Sequence, residues 1–374
     1  MPPLARPPAV AALLFGSGAA ALVYQIAWQR EFRLIFGSST AASAAVLAIF
    51  IGGTGAGSLL LGRRADRSPR PLRLYAALEL AIAALAAASP PLLDLARAAY
   101  RALGGTFGLG MPAGTLLRLL LAALVLGAPT LLMGGTLPAA ARSVAPPTDT
   151  RRRVVAFLYA ANTFGAVLGC SAATFGLLES LGTRRTLWLA CVSNAAVALI
   201  AWLLARSESP SPAESPAESP AGSPAGSPPT PSSPPAPESA PALPAPLVLT
   251  FAALSGFLFF WMELVWYRML GPLLGGTVYT FGLILAVALL GIALGGLAYG
   301  AARTRAPATA QTLSLTCALL ALALALPFAL GDRIALLALA LRPSPGATLL
   351  HYLPGWLAVA ALVILPAALV AGAQ

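Results

Sequence analysis

The chain has 374 residues, of which 58% are hydrophobic and only 9% charged, with a mean hydropathy of +0.83. Soluble domains carry roughly 25% charged residues, so this chain cannot cover its own surface in water, and a polytopic membrane protein is the class that fits. The net charge of +11 is carried entirely by arginine, mostly in short clusters between apolar runs; that is a topology signal rather than a nucleic-acid-binding stripe.

Each membrane helix needs about 20 apolar residues. In chain order the runs predict helices over 8–29, 39–62, 71–92, 115–141, 153–178 and 185–205. The first run is followed by "YQIAWQREFRLIFGSS" (24–39). Read as the outer end of a helix, it places Trp28 at the interface, Arg30 and Arg33 at head groups and Gly37 in the turn. Residues 206–246 are Pro, Ser, Ala and Glu at low complexity, a tether with little to bury. Further helices are predicted over 247–269, 276–301, 308–330 and 353–374, with 331–342 as a short lateral or re-entrant piece. Cys170, Cys191 and Cys317 lie inside apolar runs without metal-ligand spacing, and His351 stands alone in a loop. No metal is expected.

The arginine-rich loops "GRRADRSPRPLR" (62–73) and "RSVAPPTDTRRR" (142–153), with Arg303 and Arg305, share one parity. By the positive-inside rule they are cytoplasmic, as are the N-terminus and the tether. Arg97, Arg101, Arg184 and Arg185 lie on the other side and weaken the contrast.

A shift of 238 positions lays 17–62 over 255–300 without a gap, with about eleven identities. Trp28 falls on Trp266, Arg30 on Arg268 and Gly37 on Gly275; Gly53, Gly57 and Gly62 fall on Gly291, Gly295 and Gly300. The same shift lays "AALVLGAPTLLMGGT" (122–136) over "AALVILPAALVAGAQ" (360–374). This is an internal repeat. A copy of the first helix in mid-chain argues against a cleaved signal peptide at the N-terminus. The expected architecture is all-α: two parallel six-helix repeats of major-facilitator type, the second incomplete, with about ten helices present. The expected units are 1–205, the tether 206–246 and 247–374. The match of Gln374 with Thr136 leaves the second repeat two helices short.

Polar residues at membrane depth are functional candidates. Here they are Gln25, Glu79, Asn162 and Glu263. Gln25 and Glu263 are twins in the repeat, and only the second copy keeps a carboxylate. Local pairing of Glu31 with Arg33, of Glu263 with Arg268, and of Glu79 with an arginine of 62–73 is the structural alternative. Tyr159 and Asn162 suit interhelical hydrogen bonding. In "GRRADRSPR", Asp66, Arg67 and Arg70 have the form of a loop gate, in which an ion pair locks neighbouring helix ends; a plain arginine-rich loop fits as well.

Taken together, "ALVYQIAWQREFRLIFGSS", "GTGAGSLLLGRRADR", "LYAALELAIAALAAASP", "LVLGAPTLLMGGTLP" and "FLYAANTFGAVLGCSAATFGLLESLG" resemble the membrane region of fused spermidine-synthase-like proteins of bacteria. There, a major-facilitator-like region precedes a soluble aminopropyltransferase-type domain. Gln25 stands where that family has Glu. The resemblance implies polyamine chemistry and the inner membrane. Aminopropyl transfer belongs to the soluble domain, which this chain lacks, so no catalytic residue and no cofactor is assigned to it. Expected partners are the lipid bilayer, a polyamine or other small solute, and that soluble domain; nucleic acid is not one. Two other readings stay open: a stand-alone small-solute transporter of major-facilitator type, and a non-transporting membrane scaffold.

Overall fold

The computed structural model describes residues 7–37, 40–144, 153–207, 245–301, 310–344 and 346–374. The tether core, the end of the 142–153 loop, Arg303 and Arg305 lie outside the described residues. The first half holds α1 (Pro7–Phe36), α2 (Thr40–Asp66), α3 (Pro71–Ala87), α4 (Ser89–Ala102) and α5 (Gly105–Val144). It continues with α6, which runs as Arg153–Ala172, passes through a π turn at Ala173–Leu177 and ends at Leu178–Ser180, and with α7 (Gly182–Leu204). The second half holds α8 (Ala245–Leu270), α9 (Val278–Ala301), α10 (Ala310–Leu330), α11 (Arg333–Ala340) and α12 (Leu349–Ala373). No strand occurs among the described residues.

Eight of these helices are individually long and apolar enough to cross a membrane, and the bent pair α3–α4 would make a ninth. The protein is a multi-pass membrane protein. In lipid only internally hydrogen-bonded helices satisfy the backbone, which is why the apolar runs and the helices coincide.

Several boundaries move. Helix one runs to Phe36 rather than 29, because nothing in "REFRLIF" breaks a helix; Gly37, at φ 91°, stops it. The third predicted span breaks at Ala88 before Pro90 and Pro91, bending by 43° into α4. A proline cannot donate into the ladder, so a helix readily restarts there. Gly110, at φ 76°, kinks the start of α5. The piece expected at 331–342 is the eight-residue α11. His351 belongs to the first turn of α12, not to a loop, with its Nδ1 2.8 Å from Thr348 Oγ1.

Helices in lipid associate through small residues that let backbones approach. The contacts made this way recur at the 238-residue spacing. A Cβ on Gly57 would overlap the carbonyl of Leu131, and one on Gly295 the carbonyl of Leu369. Gly134 sits against the carbonyl of Thr54 as Gly372 sits against that of Ile292. Thus α2 packs on α5 as α9 packs on α12. The halves meet chiefly through α6 and α9. One apolar core joins Tyr24, Trp28 and Phe32 of α1 to Trp266, Phe281 and Ile364 of the second half. A smaller core around Leu14, Leu72, Leu158 and Ala201 fills the end of the first half where the N-terminus lies.

Candidate functional site

Two buried polar centres occupy the apolar interior. The first lies between α1, α3 and α7. Glu79 is fully buried, and neither carboxylate oxygen makes a hydrogen bond of good geometry, although Ser17, Tyr75 and Asn194 reach toward it. Around it are Ser17 and Tyr24 of α1, Tyr75 one turn earlier on α3, and Asn194 of α7. Asn194 Nδ2 donates to the main-chain carbonyl of Glu79 at 3.2 Å. The hydroxyls of Tyr24 and Tyr75 are buried and unpartnered as well, and Cys191 of α7 lies beside Tyr24. The expected pairing of Glu79 with a 62–73 arginine is not made, because Glu79 lies about two turns into α3 and faces α1 and α7.

The second centre lies on the seam between the halves. Glu263 of α8 is buried with Oε1 unpartnered, and Cys170 of α6 is near it. Cys170 Sγ donates to the carbonyl of Gly282 on α9 at 3.3 Å. One turn along α6, within the π turn, Thr174 presses against Gly282 so closely that a Cβ there would overlap its hydroxyl. The Thr174 hydroxyl is buried and unpartnered, as is the indole Nε1 of Trp266. Glu263 and Trp266, three apart, share a face of α8. No Glu263–Arg268 ion pair is present among the described residues.

The twins in α1 differ. Gln25 is buried on α1. Trp28 is not an interfacial anchor: it is fully buried, stacks on Tyr24 at 5.3 Å and donates from Nε1 to Ser89 Oγ at 2.9 Å. The 238-residue shift sets Pro327 where Ser89 stands, so a hydroxyl acceptor at that position is lost and Trp266 keeps an unused donor. Arg30 and Glu31, after Trp28, join a network across the helix ends opposite the N-terminus. Arg30 Nη1 donates to the carbonyl of Leu178 at 3.0 Å. Glu31 pairs with Arg97 at 2.8 Å, not with Arg33, and Asp94 pairs with Arg97 and Arg184. Glu31, Asp94, Arg97 and Arg184 line an open cleft of about 170 Å³. Across the seam, Tyr279 OH donates to Glu179 Oε2 at 3.2 Å.

The remaining candidates separate from both centres. Asn162 is half-buried, and its main-chain carbonyl lies where a Cβ on Gly18 would go; it serves the α1–α6 contact. Tyr159 is exposed. Asp66, Arg67 and Arg70 are exposed, and no ion pair joins them among the described residues. α2 runs on to Asp66, leaving a four-residue turn before α3. Sequence reasoning missed Tyr75, Thr174 and Trp266 as polar partners. The first two stand one helical turn from Glu79 and Cys170, a spacing that could have flagged them.

Comparison of the chain with protein-family models, with curated proteins and with solved structures gave no match.

Proposed function

We propose that this chain is the membrane-embedded region of a spermidine-synthase-like protein, built as two parallel repeats of major-facilitator type, and that its seam admits a protonated polyamine-like solute. The observation that carries the reading is the seam centre. Glu263 presents a buried carboxylate oxygen without a partner near Cys170 of α6, and the Trp266 indole on the same face of α8 has an unused donor. A carboxylate next to aromatic surface is the pairing that recognises an organic ammonium group. In transporters built from repeats, solute sites lie at the repeat interface, near the bilayer midplane. The recurrence of the Gly57 and Gly295 contacts at the repeat spacing supports that architecture.

In this reading the ends bearing Arg63, Arg64, Arg67 and Arg70 face the cytoplasm of an inner membrane, together with the N-terminus and the tether. Aminopropyl transfer belongs to a soluble domain, and the purified chain is expected to show none; clear transfer activity would overturn that assignment.

The test is solute flux. Full-length chain in liposomes is expected to take up labelled spermidine above empty liposomes, and Glu263→Gln to cut the rate about tenfold, as expected for loss of one charge-assisted contact. Uptake equal to that of empty liposomes would leave anchoring as the role of the region.

A further inference from the structure

A different part of the molecule carries a second site. We propose that the Glu79 centre holds one exchangeable monovalent cation, a proton or Na⁺, inside the first half.

Both oxygens of Glu79 and the hydroxyls of Tyr24 and Tyr75 are buried without a hydrogen bond of good geometry, although Ser17, Tyr75 and Asn194 reach toward the carboxylate and Cys191 toward the Tyr24 hydroxyl. Native interiors leave few such atoms, and each one calls for an explanation. Four unsatisfied oxygens from two helices converge here, with Ser17 and Asn194 completing the wall. An ionised carboxylate at membrane depth needs a counter-charge. No arginine supplies it: the ion pairs among the described residues all lie at the outer helix ends. The titratable groups that face Glu79 are Tyr75 on its own helix and Tyr24 on α1, with Cys191 of α7 beside Tyr24. Arg73 is six residues away on α3, about 9 Å along the axis and on another face.

The donor set then narrows the ligand. Carboxylate and hydroxyl oxygens suit a hard cation rather than a soft metal. One carboxylate balances one positive charge, so the occupant is monovalent. Among the described residues no cluster of three or more His, Cys, Asp or Glu exists that would hold a multivalent metal. Asn194, fastened to the Glu79 carbonyl, fixes α7 to α3 at this level. Occupancy of the centre therefore acts on how α1, α3 and α7 pack, independently of what crosses the seam.

The test uses the full chain in nanodiscs with no solute present. A hydrophobic carbodiimide reports a protonated carboxyl: the O–H adds across one C=N bond, and the adduct rearranges to an N-acylurea that retains the whole reagent mass. Mass spectrometry of the peptide bearing Glu79 is expected to show this adduct near pH 6. If the occupant is a proton, labelling falls at least tenfold by pH 9 and ignores Na⁺. If it is Na⁺, 100 mM NaCl protects at least fivefold where KCl does not, and the thermal midpoint rises with Na⁺. Glu79→Gln is expected to abolish the adduct and flatten the response of the midpoint to whichever ion acts. Tyr75→Phe, which keeps the carboxyl and the packing, is expected to shift the half-maximal ion concentration at least threefold, and it decides the matter if Glu79→Gln does not fold. An unlabelled Glu79 whose midpoint ignores both ions would overturn the proposal, as would a Tyr75→Phe response identical to wild type. Spermidine flux plays no part in these readouts, so failure of the seam assignment and failure of this one are separable.

Discussion

Helices α1 and α8 are copies of one sequence design, yet they sit in opposite surroundings. In α1, Leu13, Ala20 and Val23 are buried; at the matching positions of α8, Phe251, Leu258 and Trp261 are exposed. Gly18 receives the backbone of α6 at Asn162, while its twin Gly256 has nothing within 4 Å. By contrast, the α2–α5 and α9–α12 contacts are nearly superimposable in their chemistry. The two copies thus share small residues where each half packs one helix on another in the same way, and differ in side-chain size along the face that is packed in α1 and exposed in α8.

That contrast can be broken most sharply at Gly18. Gly18→Leu is expected to destabilise the protein by about 3 kcal/mol, the upper range for overpacking a tight contact. Gly256→Leu should stay within about 0.5 kcal/mol, as for a surface change. Equal losses in reversible unfolding from mixed micelles would show that α8 is covered. The conserved contact gives the next test. Gly57→Leu and Gly295→Leu should each cost about 2 kcal/mol, and a difference above about 1 kcal/mol would break the equivalence of the two halves.

The twin polar positions come third. Glu263→Gln should slow any solute flux about tenfold, a change of about 1.4 kcal/mol, while Gln25→Ala should leave it within about twofold; equal effects would remove the special status of the carboxylate. The smallest effect is expected at Ser89. Ser89→Ala orphans the Trp28 indole and should cost about 1 kcal/mol. Pro327→Ala should cost nothing comparable, since no such bond exists to lose there. Thermal midpoints of the two variants check this.

Much of this was legible in the sequence, and for a physical reason. Lipid makes the apolar run and the helix nearly the same object, so the spans fall close to their predicted places, and the spacing of 238 residues anticipates which glycines meet which carbonyls. Side-chain partners were not legible. Glu31 chooses Arg97, sixty-six residues away, over Arg33 two residues away, because residues two apart on a helix do not face each other. Trp28 reads as an interfacial tryptophan until α4 is seen to bring Ser89 to it. Glu79 and Glu263 stand out in any apolar run, but the unpartnered hydroxyls around them arise from where three helices cross, which no single segment records. The exposed Asp66, Arg67 and Arg70 show the opposite case: a motif visible in one segment for which no ion pair is formed among the described residues.

The π turn in α6 has a consequence for how one helix can hold two neighbours. Gly169 meets α1, and so does the carbonyl of Leu178, which accepts from Arg30; Cys170 meets α9, and so does Glu179. In an unbroken α-helix, residues nine apart point about 180° away from each other. The extra residue in Ala173–Leu177 takes up about one step of rotation and brings each pair back to within about 80°. The turn thus acts as a phase corrector, keeping α1 on one side of α6 and the second half on the other to the end of the helix. Deleting one residue within it would leave plain α-helix with each pair eight apart, again about 80°, so Leu178 and Glu179 would keep their neighbours. Closing the turn into α-helix at its present length is what would exchange them.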